Sequence, residues 1–263
     1  MSLLNYPLPF IPERSAKPRN AGLTMVMDKG LSPTEAQNLC DAAAHLVDYV
    51  KLGFGTSSIT ANLEKKLAVY HNAGIKVYLG GTLFEAFMIR GLVDDYIKLA
   101  KKLNLETVEI SDGSVKMDHA KKCEYIHQLS QHFTVISEVG SKDASIHLDN
   151  KTWIMEMDAE LKAGAFKVIA EARESGNVGI FDASGKAETD LIDEIVEQVP
   201  VESIIWETPL KTQQVWFIKK FGANVNLGNI ASNEVIALET LRLGLRGDTF
   251  FTFLPEEFQK FKP

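Results

Sequence analysis

Thr134-Val135-Ile136-Ser137-Glu138-Val139-Gly140 is one of eight short apolar segments that follow one another along the chain. The other seven cover residues 22–28, 47–51, 76–82, 107–112, 166–171, 203–207 and 224–229. Runs rich in Val and Ile, bounded by turn residues, are typical of buried parallel strands. Most of these segments end in a charged or amide residue, and a β/α barrel places its chemistry at the C-terminal ends of its strands. The strands therefore indicate a β/α barrel, and their C-terminal ends indicate where its functional site lies.

Predicted helices alternate with these strands. Ser32-Pro33-Thr34-Glu35 is typical of a helix N-terminus, and further helices are predicted over 59–71, 83–103, 118–132, 153–163, 188–198, 211–221 and 232–243. Eight strand–helix pairs in a row predict the α/β class and a (β/α)8 TIM barrel, formed as a single domain over residues 1–263. An open doubly wound sheet is the alternative, because spacing alone does not show that a sheet closes.

Two terminal segments lie outside this repeating pattern. Residues 1–20 contain several prolines and are predicted to form an extended N-terminal arm over one mouth of the barrel, as a lid or an oligomer arm. Residues 250–263 form a C-terminal tail that begins with the apolar run 250–254. We expect this tail to pack on the barrel or on a neighbouring subunit, which favours a homo-oligomer.

The composition excludes several classes of protein. The 263 residues are 45% apolar and 24% charged, with a net charge of −7, as in ordinary globular proteins. The chain contains no apolar run of about 18 residues, so no membrane span is predicted. The acidic charge and the lack of a basic stripe argue against nucleic acid as a partner. Cys40 and Cys123 lack metal or redox spacing, which favours reduced thiols and a cytoplasmic location.

Lys51 begins the most distinctive short motif, Lys51-Leu52-Gly53-Phe54-Gly55-Thr56. Burial of a lysine at the end of an apolar strand costs free energy unless its charge is paired or serves in binding or catalysis. The backbone N–H groups of Gly55 and Thr56 can bind a phosphate, although such glycines usually serve tight turns. Asp28, at the end of the first strand, is either a helix-capping turn residue or a contact for a metal or substrate amine.

Carboxylates recur at the ends of later strands, at Glu109, Glu138, Glu171 and Glu207. In a barrel they converge and repel one another unless a divalent cation or nearby basic groups neutralise them. The basic candidates are Lys51, Lys142 and Arg173. Oxygen ligands without a His or Cys cluster favour Mg²⁺ over Zn²⁺. Buried structural ion pairs are the alternative reading for any one glutamate.

The last strand end offers a second place for phosphate. Gly228 and Asn229 are predicted to supply amide donors there, with Ser232 capping the next helix. Five of the six histidines fall on predicted helices, and the chain has no nucleophile elbow, Walker loop or dinucleotide fingerprint. Lysine-based or metal-based chemistry is therefore favoured over a serine or cysteine nucleophile.

Six stretches together resemble the phosphosulfolactate synthase family, which comprises coenzyme M biosynthesis enzymes and bacterial relatives. They are 22–30, 48–56, Glu109-Ile110-Ser111-Asp112-Gly113, Glu138-Val139-Gly140-Ser141-Lys142, Glu171-Ala172-Arg173-Glu174-Ser175 and Asn226-Leu227-Gly228-Asn229-Ile230. They occur in order over about residues 19–250. Two departures are Thr208, where the family has alanine, and Asn20, where threonine is expected.

The resemblance implies a β/α barrel lyase that adds sulfite to phosphoenolpyruvate with Mg²⁺, giving (2R)-phospho-3-sulfolactate. It implies small anionic substrates, a metal held by some of Glu109, Glu138 and Glu171, and catalysis by Lys142, Lys51 and Glu138. Lys142 is the expected general acid, with Lys51 as the alternative, and a lysine of lowered pKa suits that role. Substrate contacts are expected from Arg173, Ser175, Gly55, Thr56, Gly228 and Asn229.

Two other functions stay open at this point. One is a Mg²⁺-dependent lyase that acts on a different phosphorylated carboxylate, because the strand ends do not define the nucleophile. The other is a non-catalytic stress-associated protein on the same barrel, since the family also resembles plant heat-stress-associated proteins.

Overall fold

One parallel sheet forms the centre of the protein in a computed structural model, which describes residues 4–141 and 148–263. Within those ranges its eight strands are β1 (Thr24–Asp28), β2 (Tyr49–Leu52), β3 (Lys76–Leu79), β4 (Thr107–Ile110), β5 (Thr134–Val139), β6 (Lys167–Ala170), β7 (Ile204–Glu207) and β8 (Leu227–Ala231). Their order is β3-β2-β1-β8-β7-β6-β5-β4, and β3 and β4 also lie in contact. The sheet is a nearly closed barrel, which confirms the (β/α)8 prediction over the open sheet.

Helices surround this barrel: α1 (Pro33–Ala43), α2 (Leu63–Asn72), α3 (Gly81–Met88), α4 (Val93–Lys102), α5 (His119–Ser130), α6 (Asn150–Ala163), α7 (Thr189–Gln198), α8 (Lys211–Phe221) and α9 (Val235–Arg242). Ser32 and Glu35 form the predicted capping box of α1. The helix predicted from residue 59 begins only at Leu63, because the preceding residue, Asn62, has a left-handed backbone with a φ of +56°.

The predicted helix over 83–103 and the predicted last strand were also wrong in detail. The region 83–103 is two helices, separated near Gly91, whose φ of +70° favours glycine over any other residue. The last strand was predicted over 224–229 but runs to Ala231. Ser232 consequently does not cap α9, which begins after Glu234.

The core has two layers. The larger layer packs the outer faces of the strands against the helices, whereas a smaller cluster fills the inside of the barrel. The inner cluster contains Leu23, Met25, Tyr49, Tyr78, Ile136, Ile169 and Ile205. Because these side chains fill the inside of the barrel, it is a packed core and not a pore.

The N-terminal arm crosses the mouth of the barrel at the starts of the strands. The guanidinium of Arg14 donates to Glu239 of α9 at 2.7 Å and to the carbonyl of Ala223 at 2.8 Å. Arg19 donates to Asp48 at 2.9 Å, and Asp48 accepts the N–H of Thr24 at the start of β1. The arm therefore covers the mouth opposite the strand ends where the site was predicted, and it is not a lid over that site.

The C-terminal tail folds back onto the barrel. Phe253 packs against the core, and the ring of Phe258 lies 5.2 Å from that of Phe10 in the arm. Among the described residues, no helix is long and apolar enough to span a membrane.

Candidate functional site

A cavity of about 650 Å³ opens at the C-terminal ends of the strands. Its walls come from β1, β2, β5, β7 and β8, from the loops after β2, β3, β4 and β6, and from the start of α3. The lining residues are Met27, Lys51, Gly53, Phe54, Gly80, Thr82, Ser114, Glu138, Glu171, Arg173, Glu174, Ser175, Glu207 and Asn229. Six of the residues predicted as site residues lie among them: Lys51, Glu138, Glu171, Arg173, Ser175 and Asn229.

Lys51 lies at the centre of a carboxylate cluster at this cavity. Its Nζ is 2.8 Å from Glu138 Oε2, 3.0 Å from Glu109 Oε1 and 3.7 Å from Glu207 Oε1. Burial of the ammonium opposes its charge, but the three carboxylates outweigh that effect and raise the pKa of Lys51 well above its usual value. This direction is opposite to the lowered pKa expected if Lys51 were the general acid.

Glu109 lies behind Lys51 and does not line the cavity. Its Oε1 also accepts the backbone N–H of Gly81 at 2.6 Å, the first residue of α3. A carboxylate at a helix N-terminus is stabilised by the orphan N–H groups and the helix dipole. A side chain on Gly81 would collide with Ser111 and Glu109, so glycine is required for this close approach.

Glu207 and Glu171 each support the loop after β6. Glu207 Oε2 accepts hydrogen bonds from the N–H of Ala172 and from Nδ2 of Asn229, both at 3.3 Å. Glu171 Oε1 accepts the N–H of Arg173 at 2.6 Å. The two carboxylates thus fix the backbone from which Arg173 extends.

Three of the six described non-glycine residues with a left-handed φ lie at the same cavity. Phe54, Arg173 and Asn229 have φ values of +56°, +53° and +56°. This left-handed region is unfavourable for residues other than glycine, and least tolerated by large side chains. Such strain clusters at ligand-binding and catalytic sites. The three residues therefore support this cavity as the candidate site, on grounds separate from its charge.

Three predicted phosphate contacts lie elsewhere. Thr56 donates its hydroxyl to the carbonyl of Gly53 at 2.8 Å, and neither it nor Gly55 lines the cavity. Gly228 lies inside β8, where a side chain would collide with Met25 and Ile205. Gly228 is thus required for the packing of the barrel interior, because β8 continues past the point where a loop was predicted.

Two further predictions have different outcomes. Asp28 is structural: its Oδ1 accepts the N–H groups of Gly30 and Leu31, and its Oδ2 lies 2.9 Å from Lys66 Nζ and accepts the hydroxyl of Tyr70. Lys142, the expected general acid, lies outside the described residues.

Sequence reasoning missed several residues of the site. Phe54, Thr82 and Ser114 line the cavity, and Glu207 was noted without a role. Glu85 of α3 accepts a hydrogen bond from Ser111 and, at 3.0 Å, from the N–H of Ser114. The only sequence signal for Phe54 is its position between the two glycines that follow Lys51.

The predicted three-glutamate metal site is only partly assembled. Glu138 and Glu171 line the cavity, whereas Glu109 is bonded to Lys51 and Gly81. Within residues 4–141 and 148–263, no group of three or more His, Cys, Asp or Glu side chains has the spacing to hold a metal ion. Mg²⁺ in proteins usually takes one or two carboxylates and keeps several waters. Glu138 and Glu171 are therefore the two of the three glutamates that a cation in this cavity can reach.

Comparison with solved structures agrees with the fold. The chain matches 3-hexulose-6-phosphate synthase from Salmonella typhimurium with a TM-score of 0.55 and 14% identity, over 85% of this chain and 100% of that one. At this identity the likeness supports the barrel alone.

Comparison with known sequences is more specific. The family described as (2R)-phospho-3-sulfolactate synthase (ComA) matches residues 12–248. The phosphosulfolactate synthase of Methanothermobacter thermautotrophicus is 42% identical over 246 residues, which cover 90% of this chain and 95% of that protein. Protein HEAT-STRESS-ASSOCIATED 32 of Arabidopsis thaliana is 21% identical, with 88% of each chain covered. The cavity residues lie within the matched range, and the chain belongs to the phosphosulfolactate synthase family of enzymes.

Proposed function

We propose that this chain adds sulfite to phosphoenolpyruvate in the cavity at the strand ends, with Mg²⁺, to give (2R)-phospho-3-sulfolactate. The observation that carries the proposal is the buried ammonium of Lys51 among Glu109, Glu138 and Glu207, in a chain of this family. A buried cation next to the cavity supplies the electrostatic stabilisation that such an addition between anions needs.

The addition itself requires charge stabilisation and one proton. The sulfur lone pair of sulfite forms a bond to C3, the C2–C3 double bond opens, and its electrons move into the carboxylate as an enediolate. Protonation of C2 then completes the product. No covalent bond to the enzyme is needed, because sulfite is itself a good nucleophile.

Lys51 and Lys142 take different parts in this proposal. A lysine with a raised pKa is a poor proton donor, so Lys51 serves as a fixed cation that favours the developing enediolate. Lys142 remains the proposed general acid. Glu138 holds the ammonium of Lys51 in place through their 2.8 Å contact.

The charge of the cavity supports the requirement for Mg²⁺. Of its described lining side chains, two are cationic (Lys51 and Arg173) and four are anionic (Glu138, Glu171, Glu174 and Glu207). Two anionic substrates would be repelled by this excess of negative charge. When bound at Glu138 and Glu171, Mg²⁺ would supply positive charge against the substrate carboxylate. Arg173 and Ser175, at the rim, are the proposed contacts for the phosphate.

The test is product formation from phosphoenolpyruvate and sulfite with Mg²⁺, followed by ³¹P NMR. Omission of sulfite is the chemical control, and Lys51→Met is the matched inactive variant. A new phosphoester signal that needs sulfite and is absent with Lys51→Met supports the proposal. Consumption of phosphoenolpyruvate without sulfite would instead indicate a lyase that acts on a different phosphorylated carboxylate.

A non-catalytic stress-associated role is the competing proposal, favoured by the likeness to Protein HEAT-STRESS-ASSOCIATED 32. The retained Lys51, Glu138, Glu171 and Arg173 in one cavity argue against a lost active site. Thermal unfolding with Mg²⁺ and phosphoenolpyruvate separates the two, because a ligand that binds only the native state must raise the Tm. No Tm shift and no turnover would favour the stress-associated role.

We also propose a cytoplasmic homo-oligomer. Cys40 and Cys123 are free thiols, which suits a reducing compartment. Tyr6, Phe250 and Phe261, near the two chain ends, expose 45–67% of their surface, and a second copy can cover them. A monomeric mass in light scattering would contradict the oligomer. Whether the product feeds coenzyme M or, after loss of its phosphate, sulfolactate depends on the neighbouring enzymes of the cell.

A further inference from the structure

Phe54 occupies the rim of the cavity in a conformation that a phenylalanine rarely adopts. Its φ and ψ are +56° and +25°, and it is followed by Gly55, which is also left-handed. Glycine would take this conformation without strain. Strain of this kind persists only where the surrounding structure enforces it, and it clusters at active sites and ligand clamps.

The ring of Phe54 is poorly covered by the protein itself. The residue is 57% exposed, although it lines the cavity. Among the described lining residues, the large apolar side chains are Phe54 and Met27, and Met27 is buried. Because exposed aromatic surface is unfavourable in water, an anchoring role in the fold does not explain this ring. The exposed ring is available to a ligand in the cavity.

Phe54 and Arg173 face each other across the mouth of the barrel. Phe54 follows β2 and Arg173 follows β6, and these strands are second and sixth in the order of eight. In a closed barrel, strands four apart lie on opposite sides. Both residues are exposed and left-handed. The two rims therefore present a cation on one side and an apolar ring on the other.

We propose that Phe54 is a substrate-contacting residue that covers the carbon skeleton of the phosphorylated enol acid while it reacts. This inference rests on the proposed function. The phosphate and carboxylate of such a substrate suit the cations of the cavity, whereas its methylene edge suits an aromatic ring. A cavity of about 650 Å³ is in the size range that holds drug-sized ligands, so a small substrate needs a cover to exclude water. Exclusion of water strengthens the electrostatic interactions with the developing enediolate.

The experiment compares three variants of Phe54 with a strained residue outside the site. Phe54→Gly removes the ring and the strain, Phe54→Ala removes the ring alone, and Phe54→Leu keeps apolar bulk. Asn62→Gly is the matched control: Asn62 has the same φ of +56°, precedes α2 and makes no side-chain capping bond. The Tm of each is measured together with kcat and KM for phosphoenolpyruvate at saturating sulfite and Mg²⁺.

We expect stability and activity to change in opposite directions for Phe54→Gly. Its Tm should equal or exceed that of the parent, because glycine relieves the strained φ. Its kcat/KM should fall about tenfold or more, the effect expected for loss of one apolar contact to a substrate. Phe54→Ala should lose a similar factor, Phe54→Leu should stay within about threefold of the parent, and Asn62→Gly should keep parental kinetics.

Three results would overturn the inference. Parental kinetics in Phe54→Gly would show that the ring does not contact the substrate. A fall in both Tm and activity of Phe54→Gly would assign the ring to the fold. Loss in Phe54→Leu as large as in Phe54→Gly would exclude an apolar cover. Failure of the proposed function looks different, because the parent chain itself would then not convert phosphoenolpyruvate and sulfite, and the role of Phe54 would fall with it.

Discussion

The ammonium of Lys51 lies between the carboxylates of Glu109 and Glu138, 3.0 Å from one and 2.8 Å from the other. Glu109 anchors the start of α3, whereas Glu138 faces the cavity. A single cation thus joins a structural carboxylate to one that can meet a ligand. Its removal has consequences for both stability and activity.

Lys51→Met should be destabilising and nearly inactive. Loss of one partner leaves buried carboxylates without their cation, which costs about 3–5 kcal/mol. Loss of a fixed charge that favours the transition state lowers kcat by about 100-fold or more. Urea unfolding and steady-state kinetics measure the two effects, with Lys51→Arg as the control that keeps the charge. A stable variant with near-parental turnover would contradict the role given to Lys51.

Tyr70→Phe should reduce stability without an effect on catalysis. Its hydroxyl donates to the buried carboxylate of Asp28 at 2.9 Å, and Asp28 does not line the cavity. Loss of a hydrogen bond to a charged group lowers the free energy of unfolding by about 1.5–3 kcal/mol. Chemical denaturation and kcat/KM are the measurements. A tenfold fall in kcat/KM with an intact fold would return Asp28 to the active site.

The stability of the protein should depend on pH through His119 and Glu160, because His119 Nε2 lies 3.2 Å from Glu160 Oε1. The hydrogen bond to Glu160 raises the pKa of His119 above 6.5. Burial opposes the charge of Glu160, but Lys122 and His119 outweigh it and lower the pKa of Glu160 below 4.5. The contribution of His119 to the free energy of unfolding is therefore full below about pH 6.5 and is lost as the pH rises through its raised pKa. The contribution of Glu160 is lost only as the pH falls through its lowered pKa.

Urea unfolding of the parent and of His119→Asn across pH 5–9 tests this assignment. The difference in unfolding free energy should be largest near the acidic end and should shrink as the pH rises. A difference that grows with pH would contradict the raised pKa of His119.

Addition of Mg²⁺ should raise the Tm of the parent chain. A ligand at 100 times its Kd adds about 2.7 kcal/mol to the free energy of unfolding. Glu138→Gln and Glu171→Gln should lose most of this increase, whereas Glu109→Gln should keep it, because Glu109 does not line the cavity. Equal losses in all three variants would instead favour the three-glutamate site expected from the sequence.

The barrel could be predicted because buried parallel strands are almost continuous apolar runs and need no information from the rest of the chain. Glu109 and Glu138 show why the site could be predicted only in part. Both lie near strand ends, but the register pairs Glu109 with Ile136, which precedes Glu138 on β5. Which carboxylate faces the cavity depends on this pairing between strands, and a single sequence does not contain it.

Gly228 and Phe54 are two further residues whose roles could not be predicted from the sequence alone. Glycine occurs both in phosphate-binding turns and where strands pack closely, and Gly228 proved to be of the second kind. Phe54 reads as an ordinary apolar residue, and its left-handed backbone and exposed ring appear only in three dimensions.

The contacts of the N-terminal arm with the end of the barrel have a consequence for biosynthesis. Arg14 finds its partners at Ala223 and Glu239, 209 and 225 residues further along the chain, and β1 pairs with β8. The ribosome must therefore make more than 200 further residues before those partners exist, so the arm is secured long after it has been synthesised. Nascent chains must therefore keep residues 14–28 from misassembly until α9 emerges. Products that terminate before α9 should be substrates for chaperones and proteases.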